Sequence, residues 1–200
     1  FEDNLDEIFK LKFALAEIYS LSGKHGLAVQ NLLDSLKINI RAFPVYLELG
    51  RIYDQTGDYK NSLKYYRTGL KVSAGTESAF QFRAAVAWVN THLGQYQKAR
   101  KECEELLETK NVLNRRTISD IYITLGVVAL KEGDFARAKD YFRDSLKIRT
   151  ELGEKRRMPA CYVDLAIAHQ NRLELRTAEE LYKKALQLYE EIGYQEGIAL

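Results

Sequence analysis

The sequence predicts an all-α chain folded as an α-α superhelix, a solenoid of stacked helix pairs. Three observations predict it. A glycine that breaks helical patterning recurs at Gly23, Gly57, Gly94 and Gly133, with Leu173 in the next slot, at spacings of 34, 37, 39 and 40 residues. Periods of that size mark repeat architectures, in which each unit buries its apolar face against the next. On either side of each break, apolar residues recur at helical spacing. Finally, the chain has 2 prolines, Pro44 and Pro159. Each stands a near-constant distance before a Leu-Gly or Leu-Ala step, at the start of a helix, where a missing N–H costs nothing.

The clearest copy of the unit runs from Ile118 to Ile148. Tyr122, Leu125, Gly126 and Ala129 lie in its first helix, and Phe135, Ala138, Phe142, Ser145 and Leu146 follow the Gly133-Asp134 turn. Two antiparallel helices approach closely only where a small residue on one meets a large residue on the other. Gly126 and Ala138 are the small residues here; Leu125, Phe142 and Leu146 supply the volume, roughly 1.5–3 kcal/mol for each side chain fully buried. Gly133 ends the first helix because a left-handed backbone at that position costs glycine nothing. The pattern resembles the tetratricopeptide repeat, with Ala129 in place of the usual Tyr and Thr150 where Pro is expected. That resemblance implies a right-handed solenoid and a role in protein-protein interaction.

The copies divide the chain into five repeats, about 9–42, 43–79, 80–117, 118–158 and 159–192, with a sixth beginning at 193–200. The first holds Leu15, Ala16, Tyr19, Ala28, Leu32, Ser35 and Leu36 in register. The second, with Tyr46, Leu49, Gly50, Tyr53, Tyr59, Ser62, Tyr66 and Leu70, follows the family pattern most closely in its first helix. Gly69 stands inside its second helix, where glycine costs about 1 kcal/mol relative to alanine. Close approach of a neighbouring helix explains it. The third departs most, with Val86, Ala87 and Asn90 in place of the Leu-Gly-Tyr trio, after a loop-like Ser73-Ala74-Gly75-Thr76. In the fifth, Leu173 replaces the turn glycine, so a tighter or more helical hinge is expected there. Phe1 in place of an initiating Met, and an ending inside a repeat, suggest a piece of a longer polypeptide. The roughly forty-residue period of the later units is similar to that of signalling scaffolds and regulators.

Composition and motifs argue against several function classes. Lys+Arg 30 against Asp+Glu 28 gives a net charge of +2, not the one-sided basic face of a nucleic-acid binder. No apolar run is long enough for a membrane span, and FEDNLDEI is no secretory signal. Cys103 and Cys161 lack zinc or disulfide spacing and read as small core residues in a reducing, cytoplasmic setting. The 3 histidines have no recognisable catalytic partners: His25 lies in a hinge, His169 fills an aromatic core slot, and only His92 faces a possible groove. No phosphate-cradling glycine loop or metal motif occurs. Neither an enzyme nor a cofactor or metal protein is indicated. Arg137, Lys139, Arg143, Lys147, Arg149 and the triplet Lys155-Arg156-Arg157 alternate with acids and read as a solvated outer face.

In stacked helix pairs the first helices line the concave side, and binding lives there. Helical geometry assigns to that side Phe13 and Glu17 in the first repeat, and Leu47, Glu48, Arg51 and Asp54 in the second. The third contributes Gln81, Ala84, Trp88, Thr91 and His92; the fourth Asp120, Ile123, Thr124, Val127 and Lys131; the fifth Val163, Asp164, Ile167, Gln170 and Asn171. The first two repeats present charges. The last three present a stripe of Trp88, Ile123, Val127, Val163 and Ile167, the footprint of a partner's amphipathic helix or extended peptide. Trp88, the sole tryptophan, is expected to remain partly exposed because Val86, Val89 and Leu93 supply the opposite face. Such a groove serves a scaffold that binds protein or peptide, or alternatively a ligand- or peptide-sensing module that controls an attached effector domain. Co-chaperones of this family grip acidic chaperone tails with cations and asparagines, but the matching positions here are Phe13, Glu17, Glu48, Gln81 and Ala85. Leu181, Ala185 and Leu188 of the last helix lack a covering neighbour, so self-association through that helix is expected.

Overall fold

A computed structural model describes residues 2–193, and nothing but helix and turn occurs among them. Residues 194–200 of the anticipated sixth repeat lie outside the described residues. The helices are α1 (Glu2–Leu21), α2 (His25–Ile38), α3 (Phe43–Gln55), α4 (Tyr59–Val72), α5 (Ser78–His92), α6 (Tyr96–Glu108), α7 (Arg115–Lys131), α8 (Phe135–Glu151), α9 (Met158–Asn171) and α10 (Leu175–Glu191), with a 3-10 turn at Lys110–Val112. The chain divides into two compact units, Phe1–Leu93 and Gly94–Leu200.

In the first unit α1 pairs with α2 and α3 with α4, while α2 also packs on α3 and α4 on α5. Ala16, Ala28, Leu32, Val45, Leu49 and Ile52 form one buried cluster, and Tyr46, Tyr66, Phe82 and Val89 form another. Two glycines set the approach of the helices. A side-chain carbon on Gly50 would overlap the Tyr66 ring, and one on Gly69 would overlap Phe82. Gly69 thus sits mid-helix for the reason its sequence position suggests, and the helical cost is offset by burying Phe82 completely.

The second unit repeats the device. α7 pairs with α8 and α9 with α10, with α6 against α7 and α8 against α9. Gly126 lies under the ring of Phe142, so that a β-carbon there would collide with it. Asn114 and Asp134 cap α7 and α8 by accepting from the backbone N–H of Thr117 and Arg137, as Asp58 does for Asn61 in the first unit. Such caps satisfy donors that a helix start leaves open. Pro44 and Pro159 fall in the first turns of α3 and α9, as their spacing predicts.

The hinge at Leu173 corrects one expectation. It is neither tighter nor more helical than the glycine hinges: Leu173 takes φ +61°, beside +76° at Gly57 and +80° at Gly133. The hydrogen bonds match as well. Leu173 N–H donates to Gln170 O and Glu174 N–H to His169 O, as Gly133 and Asp134 donate to Leu130 O and Ala129 O. The turn geometry is imposed by the helix pair, and the leucine adopts it at a cost of about 1–2 kcal/mol.

Candidate functional site

In the first unit the exposed edges of α3 and α5 are joined by polar contacts. Glu48 and Arg51 form an ion pair one turn apart, with Arg51 Nε 3.0 Å from Glu48 Oε2. Arg51 also reaches Ser20 Oγ on α1 at 3.5 Å. Trp88 donates its indole N–H to Asp54 Oδ2 at 2.9 Å, linking α5 to α3. Burial pushes the Asp54 carboxyl above its ordinary pKa, partly countered by the Trp88 hydrogen bond and by His92. His92 is exposed, stacked on Tyr59 at 4.7 Å and set edge-on to Trp88 at 4.6 Å. Trp88 is half-buried, as its position in the helix predicts. Leu47 and Phe13 are half-buried against the unit's cores, and Glu17 is exposed. Ala84 and Thr91 differ from expectation: at 5% and 4% exposure they are spent inside the fold, the Thr91 hydroxyl donating to Trp88 O at 2.7 Å.

The second unit holds an ion network where α7, α8 and the α8–α9 connection meet. Arg149 donates from Nε to Ser119 Oγ at 2.9 Å, and another guanidinium nitrogen lies 2.8 Å from Asp120 Oδ1. Arg157 reaches the same carboxylate oxygen at 3.2 Å. Glu154 pairs with Arg116 through Oε1, while its buried Oε2 accepts no hydrogen bond but lies 4.0 Å from Arg157 Nε as an ion pair. The protein packed around Asp120 disfavours its charge and raises its pKa, against the pull of Arg157 and Arg149. Along α9, Val163, Asp164 and Ile167 are half-buried on one face; Val127 of α7 is half-buried, and Lys131 and Gln170 are exposed. Ile123 and Thr124, at 9% and 1% exposure, belong to the packed interior and not to the surface the sequence assigned them, the Thr124 hydroxyl donating to Asp120 O at 3.0 Å.

Arg149 corrects the reading of the basic groups as a solvated face. It is 8% exposed and sits among buried Ala138, Phe142 and Ser145. The signal lies in the spacing, since 138, 142, 145 and 149 form one helical stripe; charge alone suggests the opposite face. The cysteines are buried free thiols, as expected, and burial pushes Cys103 up to about 12 and raises Cys161, leaving neither as a reactive thiolate. His169 Nδ1 is paired with Glu174. Among the described residues no cluster of His, Cys, Asp or Glu is arranged to hold a metal ion, and no helix is long and apolar enough to cross a membrane.

What these helix pairs define is a helical-repeat protein, its first helices carrying a mixed apolar and charged surface on tightly paired second helices. Tetratricopeptide repeat models match residues 43–76, 81–151 and 117–191, and the chain belongs to that family. No curated protein matches the sequence. Among solved structures, a Rap protein complexed with Competence and Sporulation Factor is similar over 98% of this chain and 59% of its own, at 15% identity and a TM-score of 0.82. PilF of Pseudomonas aeruginosa is similar over 98% of this chain and 89% of its own, at 18% identity and a TM-score of 0.66. The APC/C hetero-tetramer Cut9-Hcn1 gives 94% and 37%, at 16% identity and 0.77. At these identities the likeness is one of fold.

Proposed function

We propose that the chain is a protein-interaction scaffold whose first-helix faces receive a partner's helix or extended peptide. The observation that carries this reading is the partly uncovered apolar set on those faces: Leu47 and Trp88 in the first unit, Val127, Val163 and Ile167 in the second. Half-buried apolar side chains beside fixed charges suit an interface, where a few desolvated anchors supply the affinity and surrounding polar groups the orientation. The remaining expected positions, Phe13, Glu17, Glu48, Arg51, Asp54, His92, Lys131 and Gln170, form its rim. The setting we infer is cytoplasmic.

The test is to select short peptides from a random display library on the 200-residue chain and measure their affinities for Leu47→Glu, Ile167→Glu and Lys147→Glu. The reading predicts that one or both groove variants lose binding while Lys147→Glu, on the outer side of α8, retains it. Selected peptides indifferent to both groove variants would reject it.

The structure of Rap with a bound factor is the precedent for the second reading, a sensing module in which occupancy of the same groove controls an attached effector. It shares the binding step and adds a conformational one. A third surface follows from α10, on other residues than expected: Ala185 is buried at 2% exposure and Leu181 and Leu188 are half-buried, whereas Leu175, Tyr182 and Leu186 stand exposed beside Gln170. We propose it as the route of self-association, read by sedimentation of the parent against Leu186→Lys. A parent that stays monomeric at high concentration would dismiss it.

A further inference from the structure

The carboxylates on the first helices of the second unit are provided for unequally. Asp120 is held by two guanidinium groups, at 2.8 and 3.2 Å. Asp164 is not held at all: among the described residues it has no hydrogen bond and no ion pair, and the charge acting on it is that of Arg149, already engaged with Asp120 and Ser119. Its surroundings are unfavourable to a lone charge. Asp164 is half-buried beside half-buried Val163 and Ile167 on one face of α9, and burial raises its pKa to about 7 against the pull of Arg149. A carboxyl whose charge costs free energy and returns no contact is a poor choice for stability, where asparagine or leucine would serve better. Carboxyl groups perturbed by burial in this way cluster at functional sites, where a ligand can supply the missing partner.

Resting on the groove reading above, we propose that Asp164 is the anchor for a basic side chain of the bound polypeptide, a lysine or arginine flanked by apolar residues. The charge complements the carboxylate, and the flanking residues cover Val163 and Ile167, excluding water and strengthening the pair. Arg149 does not fill the role of that partner, because its donors are spent on Ser119 and Asp120. In the first unit the corresponding need is absent, because Asp54 already accepts from Trp88.

The experiment selects peptides from a random display library on the parent chain and, in parallel, on Asp164→Asn and Asp164→Leu. The parent pool should be enriched in a basic residue between apolar ones, and the two variant pools should keep the apolar residues and lose the basic one. A peptide selected on the parent should bind Asp164→Asn about tenfold more weakly or worse, the effect of losing one charge-assisted hydrogen bond. The same loss should follow when its basic residue is replaced by norleucine, with no further loss when both changes are combined. Asp140→Asn, on an exposed position of α8, should bind as the parent does. Both Asp164 variants should melt at or above the parent, which separates an anchor from a structural aspartate, whose replacement would lower the melt. A parent pool without basic enrichment, or peptides indifferent to Asp164→Asn, overturns the anchor while leaving the groove reading in place. Preference for a free amino terminus in place of a basic side chain overturns it as well. If no peptide is retained above an unrelated helical protein, the groove reading falls and the anchor with it.

Discussion

The two units solve the same packing problem with the same device and a different one with opposite chemistries. In both, a second-helix or following-helix phenylalanine or tyrosine lies on a bare glycine: Tyr66 on Gly50 and Phe82 on Gly69 in the first unit, Phe142 on Gly126 in the second. In both, a first-helix aspartate is tied to a later element, α5 in the first unit and α8 with the connection after it in the second. The first unit ties Asp54 with a neutral indole N–H, from Trp88; the second ties Asp120 with two guanidinium groups, Arg149 and Arg157. The difference teaches that the repeat fixes where helices touch and leaves open how a polar group at the seam is satisfied. A neutral donor needs no counter-charge. An ion network does, and it leaves Asp164 nearby without one.

The shared device should give the largest effects, equal in the two units. Phe82→Ala and Phe142→Ala each empty a fully buried site and should each cost about 3–5 kcal/mol in denaturant unfolding. A small loss at one and a large loss at the other would mean that the two glycine seats are not equivalent. Next is Arg149→Ala, which strips Ser119 and Asp120 of a buried donor and should cost roughly 1.5–3 kcal/mol, the range for hydrogen bonds to charged groups. An unchanged midpoint would return Arg149 to the solvated face. In the first unit, Trp88→Phe keeps an aromatic ring but removes the donor to Asp54 together with part of the indole's packing, so about 1–2 kcal/mol or more should be lost; following it with Asp54→Asn should recover the part due to the donor, because the charge left without one is gone. Failure of that recovery would show that the indole acts by packing alone.

Much of this is legible in the sequence, and the failures have physical causes. The glycine at 69 announces a close helix contact because nothing else excuses it mid-helix, and the apolar residues already filling the other face of its helix place Trp88 as half-buried. Arg149 escapes a reading by charge because charge is a strong prior for exposure, while the stripe it shares with Ala138, Phe142 and Ser145 is visible only when helical phase is given more weight. Helical phase sets Thr91 and Ile123 on the groove, yet the faces of neighbouring first-helix residues overlap enough that a position one step round the helix is covered. Leu173 misleads because a leucine suggests helix, whereas the hinge imposes φ +61° on whatever residue stands there. Its side chain is 82% exposed, so Leu173→Gly gives up little contact and relieves the left-handed strain. A gain of about 0.5–1 kcal/mol should follow after allowing for glycine's greater freedom when unfolded. A loss of stability would mean that the leucine is held by contacts rather than tolerated.

The groove itself is tested most directly by NMR of the full chain, with labelled methyl groups and the single indole, titrated with a display-selected peptide. A groove on the first helices predicts that the methyl signals of Val127, Val163 and Ile167 in the second unit, or those of Leu47 with the Trp88 indole in the first, shift in proportion to occupancy while those of the exposed faces of α2, α4 and α8 stay fixed. Shifts confined to the second helices or to α10, with the first-helix signals unmoved at saturation, would contradict it.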